Sequence, residues 1–233
     1  MPHRPELVVF DVNETLTDLS PLRDRLESVG APRHLLDSWF AATLRDGFAL
    51  TSAGEYADFA AVAKSTLRTA LAGAAGAGFT DEAKREEAVA EVLAGFPALD
   101  VHPDVPAGLR RLHEAGVRLV TLTNGAAEMS RGSFERAGVL ELFERRLSVS
   151  EPRRWKPAPE PYLWAVGECG VPADRAALIA VHPWDTDGAA RAGLTSAWID
   201  RSGTPYPDVF RSPDVTGPDL PAVVDALLAL PPA

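Results

Sequence analysis

The stretch Glu6-Leu-Val-Val-Phe-Asp-Val-Asn-Glu-Thr15 decides how this chain folds. Its first half is a short apolar run with β-branched and aromatic residues, which is typical of a buried strand. Its second half is polar and begins with Asp11. The pattern therefore predicts a strand that delivers a carboxylate and other polar groups at its C-terminal end. Taken alone, an aspartate in this position is also a common helix N-cap.

Outward from this strand, the chain divides into a helical part and an alternating part. Up to about residue 99 the sequence shows helical patterns only. From about residue 100 onward, predicted helices alternate with predicted strands at 117–122, 146–150, 177–181 and 194–199. Such alternation predicts a parallel sheet with helices on both faces, and ligands bind such sheets beyond the carboxyl ends of the strands.

The two parts together predict an α/β protein, a doubly wound parallel sheet with an inserted all-helical cap. We expect a core domain made of residues 1–16 and 100–233 and a cap domain made of residues 17–99. A crossover is normally far shorter than this insertion, so its length argues for an element that covers the site. Within the cap, the Ala/Gly-rich stretch at 70–78 is predicted to be a loop between helices.

Composition limits the classes of function. With 23 Lys and Arg against 33 Asp and Glu, the chain carries a net charge of −10, which disfavours nucleic acid and anionic membrane surfaces as partners. The single cysteine, Cys169, excludes an intramolecular disulfide and a Cys-based zinc site. The first residues hold no signal-peptide core and no apolar run approaches a membrane span. We therefore expect a cytoplasmic protein.

Polar groups fall at successive predicted strand ends, and together they suggest covalent chemistry. They are Asp11, Thr123 with Asn124, Lys156 and Asp185. A carboxylate nucleophile needs a cation that keeps it ionised and oriented, and Lys156 can supply that charge.

The order of these motifs resembles the haloacid dehalogenase superfamily over nearly the whole chain: Asp11-x-Asn-x-Thr15, Thr123-Asn-Gly125, Lys156-Pro157 and Asp185. Three further motifs resemble the type II 2-haloacid dehalogenases within it: Thr43-Leu-Arg45, Lys156-Pro-x-x-x-x-Tyr162 and Trp184-Asp185. The resemblance implies a hydrolase that breaks a carbon–halogen bond of a short halogenated carboxylic acid through an aspartyl ester. It also implies a helical cap, no cofactor and a homodimer.

The resemblance further implies roles for individual residues. Asp11 attacks the halogen-bearing carbon, Lys156 holds it in place, and Asp185 orients Lys156 or the hydrolytic water. Thr15 and Thr123 hydrogen-bond the nucleophile or the substrate carboxylate. The backbone N–H groups of Asn124 and Gly125 assist, and Arg45 collects the leaving anion. The remaining predicted substrate contacts are Asn13, Tyr162, Trp184, His182, Leu44 and Trp39.

Several of these residues also have structural interpretations. Without the motif match, Arg45 is explained as a solvated helix residue, and Tyr162 is also explained as a core residue. Trp39 and Leu44 also suit packing between cap helices. His182 is either a new base or halide donor, or a hydrogen-bonded structural residue.

Two positions separate the chain from the magnesium-dependent phosphatases of the superfamily. Those enzymes carry a second aspartate at position 13 as a general acid, whereas Asn13 has no proton to exchange near neutral pH. They also carry an aspartate where this chain has Val181, and valine offers a hard cation no ligand. The sequence thus predicts no metal site, and Asp187 is interpreted as charge at a helix N-terminus.

The chain also departs from the type II dehalogenases, which carry tyrosine at position 13, serines at 180 and 181 and asparagine at 182. Here these positions hold Asn13, Ala180, Val181 and His182. The changes alter groups that line the site, so the reaction class is better defined than the substrate. Two alternatives stay open: a small-molecule phosphatase of the same superfamily, and a catalytically silent member that acts as a binding or regulatory module.

Overall fold

The computed structural model describes residues 2–74 and 79–232. Its strands are β1 (Leu7–Phe10), β2 (Arg118–Thr123), β3 (Arg145–Ser148), β4 (Ala176–Ala180), β5 (Thr195–Ile199) and β6 (Val215–Gly217). Its α-helices are α1 (Leu22–Ser28), α2 (Leu35–Ser52), α3 (Phe59–Gly73), α4 (Glu82–Leu93), α5 (Val105–Glu114), α6 (Arg131–Arg136), α7 (Pro159–Glu168), α8 (Pro183–Arg191) and α9 (Leu220–Leu228). The strands form one parallel sheet in the order β3-β2-β1-β4-β5-β6.

The strands are apolar throughout because both faces of the sheet are covered. In β1, Leu7 and Val9 enter one apolar cluster, which extends through α7 and α8 into the cap. Val8 and Phe10 enter the other cluster, which contains α5 and α9. Side chains alternate between the two faces of a strand, so a strand buried on both faces reads as a continuous hydrophobic run.

Strand order and register bring the polar strand ends to one edge of the sheet. β1 lies between β2 and β4, and Phe10 is in register with Thr121 of β2 and Ile179 of β4. The chain adds β2 and β3 on one side of β1 and β4 to β6 on the other. The residues that follow β1, β2 and β4 therefore meet where the strand order reverses, which is where open α/β sheets bind ligands.

The predicted fold class is confirmed: a parallel sheet is covered by helices, and α1 to α4 are inserted between β1 and β2. The five predicted strands match β1 to β5 to within about two residues. β6 was not predicted, because a three-residue strand ending in glycine is shorter than any recognisable apolar run. In the described part of the chain, no helix is both long and apolar enough to cross a membrane.

The two ends of the insertion are tied together. Thr17 and Val101 form an antiparallel bridge, and the Asp18 backbone N–H donates to the Asp100 carbonyl at 2.9 Å. The domain boundaries at 16/17 and 99/100 stay a prediction. The predicted loop at 70–78 is wrong for its first residues, because α3 continues to Gly73, and residues 75–78 lie outside the described part of the chain.

One tryptophan fixes the cap on the core. Trp155 follows β3, and its indole Nε1 donates to the Ala57 carbonyl at 2.9 Å while its backbone N–H donates to Thr51 Oγ1 at 3.1 Å. Its ring stacks on Phe59 at a centroid distance of 5.8 Å. Helix α2 approaches this ring at Gly47, where an added Cβ would lie 2.3 Å from Trp155 Cε3. Only glycine permits this approach.

We expect Gly47→Ala to lower the free energy of unfolding by about 1–3 kcal/mol, because the added methyl group overlaps the Trp155 ring. Urea titration measures the change. Gly167→Ala in α7 is the matched control, since a Cβ there meets nothing within 4 Å, and it should be stabilising by about 0.5–1 kcal/mol. Equal stability of Gly47→Ala and wild type would contradict a tight contact at Trp155.

Candidate active site

At the carboxyl edge of the sheet, a lysine ammonium lies between two buried carboxylates. Lys156 Nζ is 2.9 Å from Asp11 Oδ1 and 2.6 Å from Asp185 Oδ2. Burial alone would lower the pKa of Lys156, but the charges of the two carboxylates outweigh burial and raise it. The ammonium is therefore charged at neutral pH and joins the loop after β3 to the ends of β1 and β4.

Asp11 has further partners that keep it ionised. Its Oδ2 accepts a hydrogen bond from Thr15 Oγ1 at 2.7 Å and one from His182 Nδ1 at 3.3 Å. Burial alone would raise the pKa of Asp11, but the Lys156 charge and the hydrogen bonds outweigh burial and hold the pKa well below its usual value. Asp11 is thus a carboxylate, the form that acts as a nucleophile.

Asp185 uses both of its oxygens inside the protein. Oδ2 accepts from Lys156, and Oδ1 accepts from the Tyr162 hydroxyl at 2.6 Å. Neither Asp185 nor Tyr162 has exposed surface, and burial raises the pKa of each. Tyr162 therefore joins the cluster through Asp185, to which its hydroxyl is bonded. Of the two roles expected for Asp185, the geometry favours orienting Lys156.

Asn124 and Thr123 organise the turns around Lys156. The Asn124 side chain accepts from the Lys156 backbone N–H at 2.9 Å and donates to the Lys156 carbonyl at 3.3 Å. Thr123 Oγ1 accepts from the Gly125 N–H at 2.9 Å, so that N–H is used within the turn. Asn13 lines a small pocket together with Thr123 and Gly125.

His182 connects the nucleophile to a glutamate that sequence reasoning missed. Its Nε2 donates to Glu14 Oε2 at 2.8 Å, and its ring stacks on Trp184 at a centroid distance of 5.0 Å. Burial alone would lower the pKa of His182, but hydrogen bonds to Asp11 and Glu14 outweigh burial and raise it to about 9. His182 is therefore a second cation beside Asp11. The only sequence signal for Glu14 is its place in the Asp11–Thr15 stretch.

The structure does not bring two of the predicted cap residues to this cluster. The Arg45 side chain is 71% exposed, and its Nε donates to Asp46. Trp39 is buried inside the cap, where its Nε1 donates to the Ala63 carbonyl. The position of Arg45 on α2 explains its exposure. The helix buries Thr43 and Gly47, and a residue two positions from each of them points to the opposite side.

Other residues of α2 bring the cap to the site. Phe48 lies 5.0 Å from Trp184, and Phe40 lies 6.3 Å from His182, both measured between ring centroids. Leu44 is half-buried and packs against the apolar cluster shared by cap and core. Sequence reasoning left Phe40 and Phe48 out of the pocket, because an aromatic residue on a cap helix is equally suited to packing between helices.

The residues present do not fit a hard divalent cation. Asp11 and Asp185 share the Lys156 ammonium, and Val181 offers no oxygen from its side chain. Asp187 turns away, accepting from Arg191 Nε at 2.7 Å and from a backbone N–H at 3.0 Å. Among the residues that the structure describes, no three His, Cys, Asp or Glu side chains are grouped as a metal site requires.

Known proteins resemble this chain over most of its length. The family model of the haloacid dehalogenase-like hydrolases matches residues 5–193. Haloacetate dehalogenase H-2 of Moraxella sp. (strain B) is 28% identical over 225 residues, which are 94% of this chain and 96% of that protein. A solved L-2-haloacid dehalogenase is 29% identical with a TM-score of 0.87, over 98% of this chain and 100% of the other.

About half of the chain is also similar to a phosphatase. The phosphoserine phosphatase of Thermus thermophilus is 32% identical over 121 residues, which are 52% of this chain and 48% of that enzyme. The family model, in contrast, matches well over half of the chain. This protein belongs to the haloacid dehalogenase-like hydrolases.

The raised pKa of His182 predicts a pH-dependent stability. An exposed histidine titrates near 6.5 and His182 in the folded protein at about 9. Its stabilising contribution is therefore fully present below pH 6.5 and is lost as the pH rises through 9. We expect the excess stability of wild type over His182→Gln to fall by about 3 kcal/mol between pH 6 and pH 10.

Urea unfolding of both proteins across this pH range measures the effect. His113→Gln, which replaces an exposed histidine on α5, is the matched control. A pH-independent difference for His182→Gln would mean that His182 is not protonated in the folded protein.

Proposed function

We propose that this protein is a 2-haloacid dehalogenase that hydrolyses the carbon–halogen bond of a short haloacid through an ester of Asp11. The observation that carries the proposal is the buried carboxylate of Asp11, held ionised by Lys156 at 2.9 Å and Thr15 at 2.7 Å. The names of the relatives that match nearly the whole chain support the haloacid as substrate class.

In the first step, Asp11 attacks the halogen-bearing carbon of the substrate. A carbon–oxygen bond forms, the carbon–halogen bond breaks, and the halide leaves with the bonding electrons. Because a halide is the anion of a strong acid, it needs no proton, which suits a site where Asn13 replaces a general acid. Lys156 keeps Asp11 ionised and oriented until it reacts.

In the second step, water attacks the Asp11 carbonyl carbon of the ester. The bond between that carbon and the ester oxygen breaks, the hydroxy acid leaves, and Asp11 returns as a carboxylate. No step needs a metal or an organic cofactor. The aromatic rings of Phe40, Phe48 and Trp184 provide an apolar wall beside the reacting groups.

Two further assignments rest on the sequence. We propose a cytoplasmic location, which the single cysteine, Cys169, free and buried, supports. We also propose a homodimer, which the resemblance to type II dehalogenases supports.

Paired assays test the proposed function. Halide release from 2-chloropropionate or a haloacetate should proceed at the same rate with and without a chelator, and phosphate release from an aryl phosphate with magnesium should be negligible. Asp11→Asn should abolish halide release while circular dichroism shows an intact fold, after mass spectrometry has excluded deamidation back to aspartate. Phosphatase activity alone would establish the alternative enzyme, and activity in neither assay would establish a silent member.

Replacing Lys156 by methionine should lower kcat for halide release by about 10²-fold or more, because an uncharged chain cannot keep Asp11 ionised and aimed. Stopped-flow halide detection measures it. Lys84→Met on the exposed surface of α4 is the matched control and should leave kcat unchanged. Removing one partner of a buried ion pair also costs about 3–5 kcal/mol of stability, so folding is checked first. A loss of only a few fold would make Lys156 peripheral.

A further inference from the structure

The hydrolytic step of the proposed function needs a base for water, and Asp185 is badly placed for that task. Both of its oxygens accept short hydrogen bonds, at 2.6 Å from Lys156 and at 2.6 Å from Tyr162. Its side chain has no exposed surface. A base must reach the water that it deprotonates. Another group beside Asp11 must therefore act as the base.

His182 is that group by position. It lies within 3.3 Å of Asp11, on the oxygen that Lys156 does not contact. It also borders an open cavity of about 430 Å³, whose lining includes Glu14 and Val181. Water in this cavity thus contacts the histidine directly.

Glu14 completes the arrangement on the far side of the ring. Its carboxylate accepts from His182 Nε2 at 2.8 Å. Its backbone is in the left-handed region, with φ of 64°, a conformation that costs a non-glycine residue of order 1 kcal/mol. His102 Nε2 contacts the Glu14 carbonyl at 2.9 Å and holds this turn. The strained turn directs the Glu14 side chain to the histidine.

We propose that His182 and Glu14 form a dyad that activates water to hydrolyse the Asp11 ester, with His182 as a catalytic residue and Glu14 as its positioning residue. This inference rests on the proposed function. It follows the general pattern in which one group takes the proton and a second group orients the first.

The step balances with water as the only co-reactant. The water oxygen bonds to the Asp11 carbonyl carbon, and one water proton goes to His182 Nδ1. The bond from that carbon to the ester oxygen breaks, and the departing hydroxy acid takes the proton from His182. Asp11 regains its negative charge by losing the proton of its new hydroxyl group to solvent.

Charge explains why His182 can act as a base only after the first step. In the resting site it faces two carboxylates, Asp11 and Glu14, with Lys156 and Asp185 on the far side of Asp11. Ester formation removes the charge of Asp11, so the pKa of His182 falls toward neutrality while Glu14 still orients the ring. The histidine then releases its proton and accepts one from water.

Rapid-quench kinetics with 2-chloropropionate test the inference. In His182→Gln, we expect a burst of one halide per active site at a rate within about tenfold of wild type. Later turnover should be slower by about 10²-fold or more, because a general base contributes that much. Intact-mass spectrometry should then show one carboxyethyl group on the protein. His113→Gln, at an exposed site on α5, should behave as wild type.

The pH dependence of ester decay tests Glu14. In wild type, decay should accelerate with rising pH as His182 loses its proton. Glu14→Gln should move the midpoint to lower pH, because it removes an anion that favours the protonated ring, and Glu14→Asp should restore part of the wild-type profile. A role limited to structure would change the rate and leave the midpoint in place.

The outcomes separate the two proposals. Absence of halide release and of ester in wild type would overturn the proposed function and this inference with it. Halide release by wild type, together with steady turnover and no trapped ester in His182→Gln, would overturn only the dyad. Loss of the burst itself in folded His182→Gln would also overturn it, since His182 would then act on alkylation.

Discussion

The ammonium of Lys156 between the carboxylates of Asp11 and Asp185 is the contact on which the rest of the structure depends. Ions removed from water are tolerated only when they are paired and hydrogen-bonded. Their pairing requires the end of β1, the first turn of α8 and the loop after β3 to converge on one point. The register of β1 with β2 and β4 provides that convergence.

The buried charges also constrain each other. Asp11 and Asp185 are balanced by Lys156 and by His182, whose pKa of about 9 keeps it protonated at neutral pH. With a neutral side chain at 182, the innermost groups would carry an excess negative charge. The change at this position relative to type II dehalogenases is therefore an electrostatic change of the whole site.

The sequence predicted the inner groups because their positions follow from a simple rule. Asp11, Thr123 and Asp185 each come at or just beyond a predicted strand end, and parallel strands end at one edge. The positions of Arg45 and Trp39 relative to the site could not be predicted, because they depend on the rotation of α2 against the core. Tyr162 was predicted to contact substrate, whereas its hydroxyl bonds to Asp185, a partner that depends on how α7 packs against α8. The contact of Glu14 with His182 depends on a left-handed backbone conformation at Glu14, which no sequence pattern predicts.

The contact between Trp155 and the cap has a mechanical consequence. Trp155 is the residue before Lys156, and its ring is enclosed by Gly47, Ala57 and Phe59 of the cap. Movement of the cap away from the core would displace this ring, and it would also displace Lys156, the counter-ion of Asp11. Small molecules therefore enter and leave the site with the ion pair intact only if cap and core stay together. They then pass through the opening beside His182, between α1 and the segment 198–207.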